Sequence, residues 1–188
     1  MADPWKGKEM DLTEKGISSK EVFKGVLLHA FVDEVLLPNG KTATREYLKH
    51  NGAVCLVPVT EQNEVIMVRQ FRYPFHTVML EAPAGKIDPG ETPLEAAERE
   101  LREETGIEAA ELIEMGKYYP SVAYTDEVIW MYLVKGLKFG GQNLDEDEFL
   151  NTERIPLQKL VSMVLAGEIP DGKTQTAILK AKYMLENS

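Results

Sequence analysis

Cysteine is almost absent: Cys55 is the single one in 188 residues, and it lies in an apolar run. That excludes an internal disulfide and makes a buried, reduced thiol the plain reading. Long apolar runs are missing as well. No stretch reaches the roughly 18 residues a membrane-spanning helix needs, and the opening MADPWKGKEM has no apolar core of signal-peptide length. Positive charge is in short supply, with 21 Lys and Arg against 31 Asp and Glu, a formal net charge of −10 and a pI near 4.9. This balance argues against nucleic-acid and acidic-membrane partners. An acidic protein still binds phosphates if metal ions supply the local positive charge. A cytoplasmic location is therefore expected. Histidine is scarce: His29, His50 and His76 share no metal-site spacing and read as structural. Internal repeats and low-complexity segments are lacking too.

What is present suffices for a core. Hydrophobic residues make up 44% of the chain and the mean hydropathy is −0.25, so one domain with a small extension is expected. Residues 1 to about 20 are polar and weakly patterned, with Trp5 the only large aromatic. From Glu21 the text turns strand-like. Val26 to Leu37 reads as two strands or one bent strand, Pro38-Asn39-Gly40 as a tight turn, and Thr42 to Lys49 as the returning strand. Residues 1–49 thus form a small antiparallel sheet, too thin to bury much alone, which should pack on the main body or on a second subunit. Residues 50–188 form the main domain. Strands are expected over Ala53 to Val59, Glu64 to Gln70, Leu112 to Tyr119, Glu127 to Leu137 and Phe149 to Ile155, and Thr77 to Ala82 leads into Pro83-Ala84-Gly85. Helices follow over Pro156 to Ala166 and Thr174 to Glu186. Strands with helices on both faces make an α/β sandwich.

The densest signal is Gly85 to Ile107, GKIDPGETPLEAAERELREETGI. A glycine-proline loop leads to one helix. Thr92 suits the N-cap, Pro93 the first helical position, Glu95 the capping box and Gly106 the stop. Leu94, Ala97 and Leu101 recur at three- and four-residue steps and should face a core. Glu100 and Glu104 leave the same face, with Glu103 beside them. Like charges at that spacing repel, and a cation held between them would remove the cost. Oxygen-rich sites suit Mg²⁺ or Mn²⁺. The plain alternative is a solvated acidic face, with Arg99 and Arg102 paired to Glu95 and Glu98.

Gly85, Glu91, Arg99-Glu100-Leu101, Glu103-Glu104, Gly106 and Ile107 together match all nine defined positions of a 23-residue motif, and in this the stretch resembles the Nudix box. Further stretches resemble the ADP-ribose pyrophosphatase branch of that family. They include Thr44-Arg45-Glu46, Arg69-Gln70-Phe71-Arg72, Glu81-Ala82-Pro83-Ala84-Gly85, Tyr119-Pro120-Ser121, Thr125-Asp126-Glu127 and Leu144-Asp145-Glu146-Asp147-Glu148-Phe149. The resemblance covers roughly residues 22–185. One departure stands out: the branch carries Ser-Pro-Gly where this chain has Ser121-Val122-Ala123.

The resemblance implies a Nudix α/β/α sandwich with a mixed sheet, and a homodimer that uses the N-terminal sheet. It implies Mg²⁺-dependent (or Mn²⁺-dependent) hydrolysis of ADP-ribose to AMP and ribose 5-phosphate, with two or three ions per site. The alternatives are a hydrolase of another nucleoside diphosphate sugar, such as GDP-mannose, and a non-catalytic ADP-ribose-sensing module. Metal ligands are expected at Glu100, Glu103 and Glu104 and at the Ala84 carbonyl. The catalytic set is Glu148 as base (Glu146 as runner-up), Glu103, and Arg99 bracing the glutamates, with Glu91 anchoring the loop in the same network. Arg45, Arg72 and Glu127 are the expected substrate contacts. Lys173 carries no chemical signal in the sequence.

Overall fold

In the computed structural model, residues 10–144 and 149–187 are described. Trp5 and the acidic stretch Asp145 to Glu148, including the expected base, lie outside them. The chain divides into two compact units: residues up to His50 together with Ser121–Asp126, and Asn51–Pro120 together with Glu127 onward.

The first unit is an antiparallel sheet of β1 (Lys15–Lys24), β2 (His29–Leu36) and β3 (Thr42–Lys49), with β2 central. The turn after β2 forms as its residues dictate. Gly40 sits at φ 80°, its N–H donates to the Leu37 carbonyl, and Asn39 accepts from the Lys41 N–H. Two expectations need correcting. β1 begins at Lys15, inside text that reads as unpatterned, because every residue of this strand is exposed and no core selects an apolar alternation. Val26, Leu27 and Leu28 belong to no strand: they make the β1–β2 turn, exposed, closed by the Gly25 N–H on the Leu28 carbonyl. The segment 121–126 joins this unit through Leu48, whose N–H donates to Tyr124 and whose carbonyl accepts from Asp126.

The second unit holds β4 (Ala53–Pro58), β5 (Glu64–Arg72), β6 (Thr77–Glu81), β7 (Ala84–Lys86), α1 (Pro93–Thr105), β8 (Ile107–Tyr118), β9 (Ile129–Phe139), β10 (Leu150–Pro156), α2 (Leu157–Leu165) and α3 (Gly172–Glu186). A mixed sheet runs β7-β4-β9-β8, with β4 and β9 parallel, and an antiparallel sheet runs β10-β5-β6. Strand β4 shows why the unit is a sandwich. All six of its residues are buried, so it reads as a continuous apolar run. Its pleat splits them: Ala53, Cys55 and Val57 enter a core shared with α2 and α3, while Val54 and Leu56 enter one shared with α1. Burial pushes the Cys55 thiol up to about 12, so it stays protonated and inert. No helix among the described residues is long and apolar enough to cross a membrane.

Helix α1 starts and stops where its caps say. Thr92 accepts from the Glu95 N–H, Glu95 accepts from the Thr92 N–H, and Gly106 ends the helix at φ 67°. Its inward face differs from expectation by one position: Ala96, Ala97 and Leu101 are buried, whereas Leu94 is 46% exposed. Leu94 is the second residue of the helix, too near the free end for the core to cover it.

Candidate active site

The loop and helix of Gly85–Ile107 fold onto each other through carboxylates. Strand β7 pairs Ala84 with Cys55 and Gly85 with Val54, fixing the loop's start on the central sheet. Glu104, on the buried face of α1, is 2% exposed and accepts the Ala84 N–H at 3.0 Å. Gly85 lies directly under Glu100: a Cβ built there would stand 1.9 Å from the Glu100 Cδ. The motif thus needs glycine at this position for close approach, although its φ is unexceptional.

Arg99 ties the rest together. Its Nε and Nη2 fork onto Glu91 at 2.9 Å each, Nη2 also donates to the Lys86 carbonyl at 2.9 Å, and Nη1 bridges Glu100 at 2.8 Å and Glu103 at 3.0 Å. The pairing to Glu95 and Glu98 expected of a plain solvated face is not the arrangement here, since Glu95 turns back to the N-cap. The hydrogen bonds that Arg99 donates to Glu91 raise its guanidinium above its ordinary value, against burial, with Glu100 and Glu103 adding to the rise. The cation is therefore permanent. It offsets only one of the three charges it touches, Glu91, Glu100 and Glu103, and Glu104 on the same helix adds a fourth that is bonded to the Ala84 N–H instead.

This donor set fits a hard divalent cation: carboxylate oxygens, a residual negative charge, and little competition from nitrogen or sulfur. Among the described residues no three acidic, histidine or cysteine side chains already converge as a finished cage. Arg99 Nη1 lies between Glu100 and Glu103, so the two carboxylates would turn from it to share an ion.

The other expected contacts fall in different places. Arg72, at the end of β5, forks onto Glu81, Nε to Oε1 at 2.6 Å and Nη2 to Oε2 at 2.7 Å, and its side chain stays 37% exposed. Arg45 lies in the first unit, on β3, forked onto Glu14 and bonded to the Thr44 carbonyl. Glu127 is half-buried just before β9, and Val122 is 83% exposed in the segment joined to the first unit.

Sequence reasoning missed a buried charge cluster behind Arg72. Glu81 is 2% exposed and accepts from Lys173 Nζ at 2.5 Å as well as from Arg72. Lys173 also pairs with Asp171 at 2.9 Å, and Asp171 caps α3 by accepting the Thr174 N–H. Thr174 in turn accepts the Ala82 N–H at 2.9 Å. The one signal in the sequence was Glu81 itself, a carboxylate inside an apolar strand that demands a partner. Burial pushes the Glu81 carboxyl up, but the Arg72 hydrogen bonds and the Lys173 charge outweigh it, and the result lies below the ordinary value. A carboxylate so lowered stabilises the fold above its unfolded pKa, and that contribution is lost as pH falls through the folded value. Glu81→Gln should lower stability at neutral pH by about 2 kcal/mol, the scale of a charge-assisted hydrogen bond. Urea unfolding at pH 7 and pH 4 would check it: the gap between variant and wild type should shrink at the lower pH.

A family model, the NUDIX domain, matches residues 49–176. The chain is 40% identical over 169 residues to an ADP-ribose pyrophosphatase of Bacillus subtilis (strain 168), covering 89% of this chain and 91% of that one. It is 38% identical over 167 residues to a methanol dehydrogenase activator of Bacillus methanolicus, covering 88% and 90%. In structure it is similar to an ADP compounds hydrolase, with a TM-score of 0.85 at 23% identity over 96% of this chain and 98% of that one. The capped helix, its carboxylate face and the sandwich that carries it, together with these matches, place the chain in the Nudix family.

Proposed function

We propose that the protein hydrolyses the pyrophosphate bond of ADP-ribose, giving AMP and ribose 5-phosphate, with Mg²⁺ or Mn²⁺ at the α1 carboxylates. The observation that carries the chemistry is that Glu100 lies against Gly85 and Glu104 against Ala84, with Arg99 tying Glu103 to Glu100. Similarity to an ADP-ribose pyrophosphatase over most of both chains supports the substrate.

Glu100, Glu104 and Glu103 would hold the ions, with the Ala84 carbonyl. A divalent cation, when bound, neutralises the diphosphate oxygens and makes an adjacent water more acidic. The protein does the rest. Arg99 keeps the glutamates and the loop in register from behind, the role of a group that orients ligands without touching substrate. Arg72, with its side chain partly exposed and Nε and Nη2 held by Glu81, would offer its remaining N–H groups to a phosphate oxygen. Arg45 and Glu127 are the further substrate contacts we propose. We assign the base that takes the water's proton to Glu148, with Glu146 as runner-up, both outside the described residues. A homodimer built on the first sheet is part of the proposal, supported by Ile17, Val22 and Phe23 standing exposed on β1. The inert thiol and acidic charge suit a cytoplasmic setting without nucleic acid or membrane partners.

The test is a substrate panel with Mg²⁺: ADP-ribose, GDP-mannose, ADP-glucose and NADH, compared by kcat/KM. ADP-ribose should lead by at least about tenfold, the discrimination that one or two well-placed hydrogen bonds give. A lead for GDP-mannose would keep the hydrolase and change its substrate. No turnover with any of them would favour a binding module.

A further inference from the structure

Arg72 reaches outward from a carboxylate that is itself buried, and a second cation grips that carboxylate from behind. The Lys173 side chain is 14% exposed and Glu81's 3%, so this pair is shielded from water. Burial alone would lower the Lys173 pKa, but Asp171 and Glu81 reverse this and keep the ammonium charged. Two acids and two bases meet here, and the charges balance. Glu81 Oε2 is the shared atom, accepting from Arg72 Nη2 at 2.7 Å and from Lys173 Nζ at 2.5 Å. Lys173 therefore fixes where that oxygen stands, and the oxygen fixes the plane of the guanidinium. Among the described residues Arg72 makes no side-chain hydrogen bond except to Glu81, so its aim depends on this one carboxylate. A planar fork tolerates little rotation before its outward N–H groups miss a phosphate.

We propose that Lys173, on the first turn of α3, is a positioning residue for substrate binding: through Glu81 it sets the direction in which Arg72 presents its guanidinium to the substrate's phosphate. The inference rests on the reading of Arg72 as a phosphate contact. It adds a function for the α3 N-terminus, which the box does not reach. The same turn also holds Ala82 through Thr174, two residues before Ala84. Lys173 acts on the Arg72 side of this junction and Thr174 on the loop side.

The experiment is steady-state hydrolysis of ADP-ribose by wild type, K173M, K173R, R72A and R72A/K173M, with Mg²⁺ titrations and thermal unfolding of each. K173M should raise KM about tenfold, the fold-change of one misdirected charge-assisted hydrogen bond. Its kcat and Mg²⁺ dependence should stay near wild type. K173R, which restores the charge, should recover most of the KM. The double variant should match R72A, because Lys173 acts only through Arg72. If K173M binds normally while R72A does not, or if the two KM effects multiply in the double variant, the positioning role is wrong. R72A with an unchanged KM would overturn the Arg72 contact and the proposal with it. K173Q serves where K173M unfolds early. A Tm drop with KM unchanged in K173Q would mark Lys173 as merely structural, against the proposal.

Discussion

Glu104→Gln should reduce Mg²⁺-dependent turnover by about a thousandfold, the rate equivalent of losing several kcal/mol of electrostatic stabilisation from a cation. Glutamine is nearly isosteric and can still accept the Ala84 N–H through its amide oxygen, so the loop keeps its anchor. What goes is one negative charge at a side chain that is 2% exposed. In such a place water screens little, and an amide cannot replace a carboxylate toward a hard divalent cation. The loss should therefore appear as a higher Mg²⁺ requirement together with a lower kcat. KM for ADP-ribose, measured at saturating Mg²⁺, should change less. Thermal unfolding without metal should be near wild type or slightly higher, because removing one of four crowded carboxylates relieves repulsion. Turnover within a few-fold of wild type would show that Glu104 has only a structural role, as the support of Ala84.

How much of this was legible in the sequence depends on the range of the interactions. Helix α1 was legible to the residue, since Thr92, Glu95 and Gly106 act on backbone groups within one turn of themselves. The five strands expected after residue 52 also form, with shifted ends, because a buried strand shows as an apolar run wherever it lies. Strand β1 was not legible, being exposed along its whole length, so nothing about burial was written into it. The pairing of Arg99 with Glu91, Glu100 and Glu103 was open from sequence, where Glu95 and Glu98 stood at equally good spacings. It was decided by the loop, which brings Glu91 and the Lys86 carbonyl to the guanidinium. The Glu81–Lys173 pair was beyond reach. Its partners are 92 residues apart, and only the packing of α3 against the sheet brings them together.

Gly85→Ala should reduce turnover by about a hundredfold or more, on the scale of displacing one metal-oriented carboxylate. The position does not demand glycine for its φ, so the backbone itself would accept alanine. The obstacle is the Glu100 carboxylate, with Cδ, Oε1 and Oε2 at 1.9, 2.0 and 2.2 Å from where the new methyl would be. Contacts that short cannot be absorbed by small adjustments, so either the loop or the side chain must move. The loop is held on the sheet by β7 and behind by Ala84 on Glu104. The side chain is held by a hydrogen bond to Arg99, and a Glu rotamer change is the smaller disturbance. Glu100 should therefore swing off the loop, taking its oxygen from the place where Glu104 and the Ala84 carbonyl could share an ion with it. Stability should fall by only about 1 kcal/mol, within the range for a single off-rotamer side chain. The telling comparison is with Gly90→Ala, five residues on in the same loop. Gly90 has open space around its Cα but a φ of 90°, so alanine there strains the backbone without touching a carboxylate. Gly90→Ala should lose stability and keep most of its turnover, whereas Gly85→Ala should do the reverse. Equal losses of activity in both would mean that the loop's shape, and not the Glu100 carboxylate beneath Gly85, is what the motif's first glycine protects.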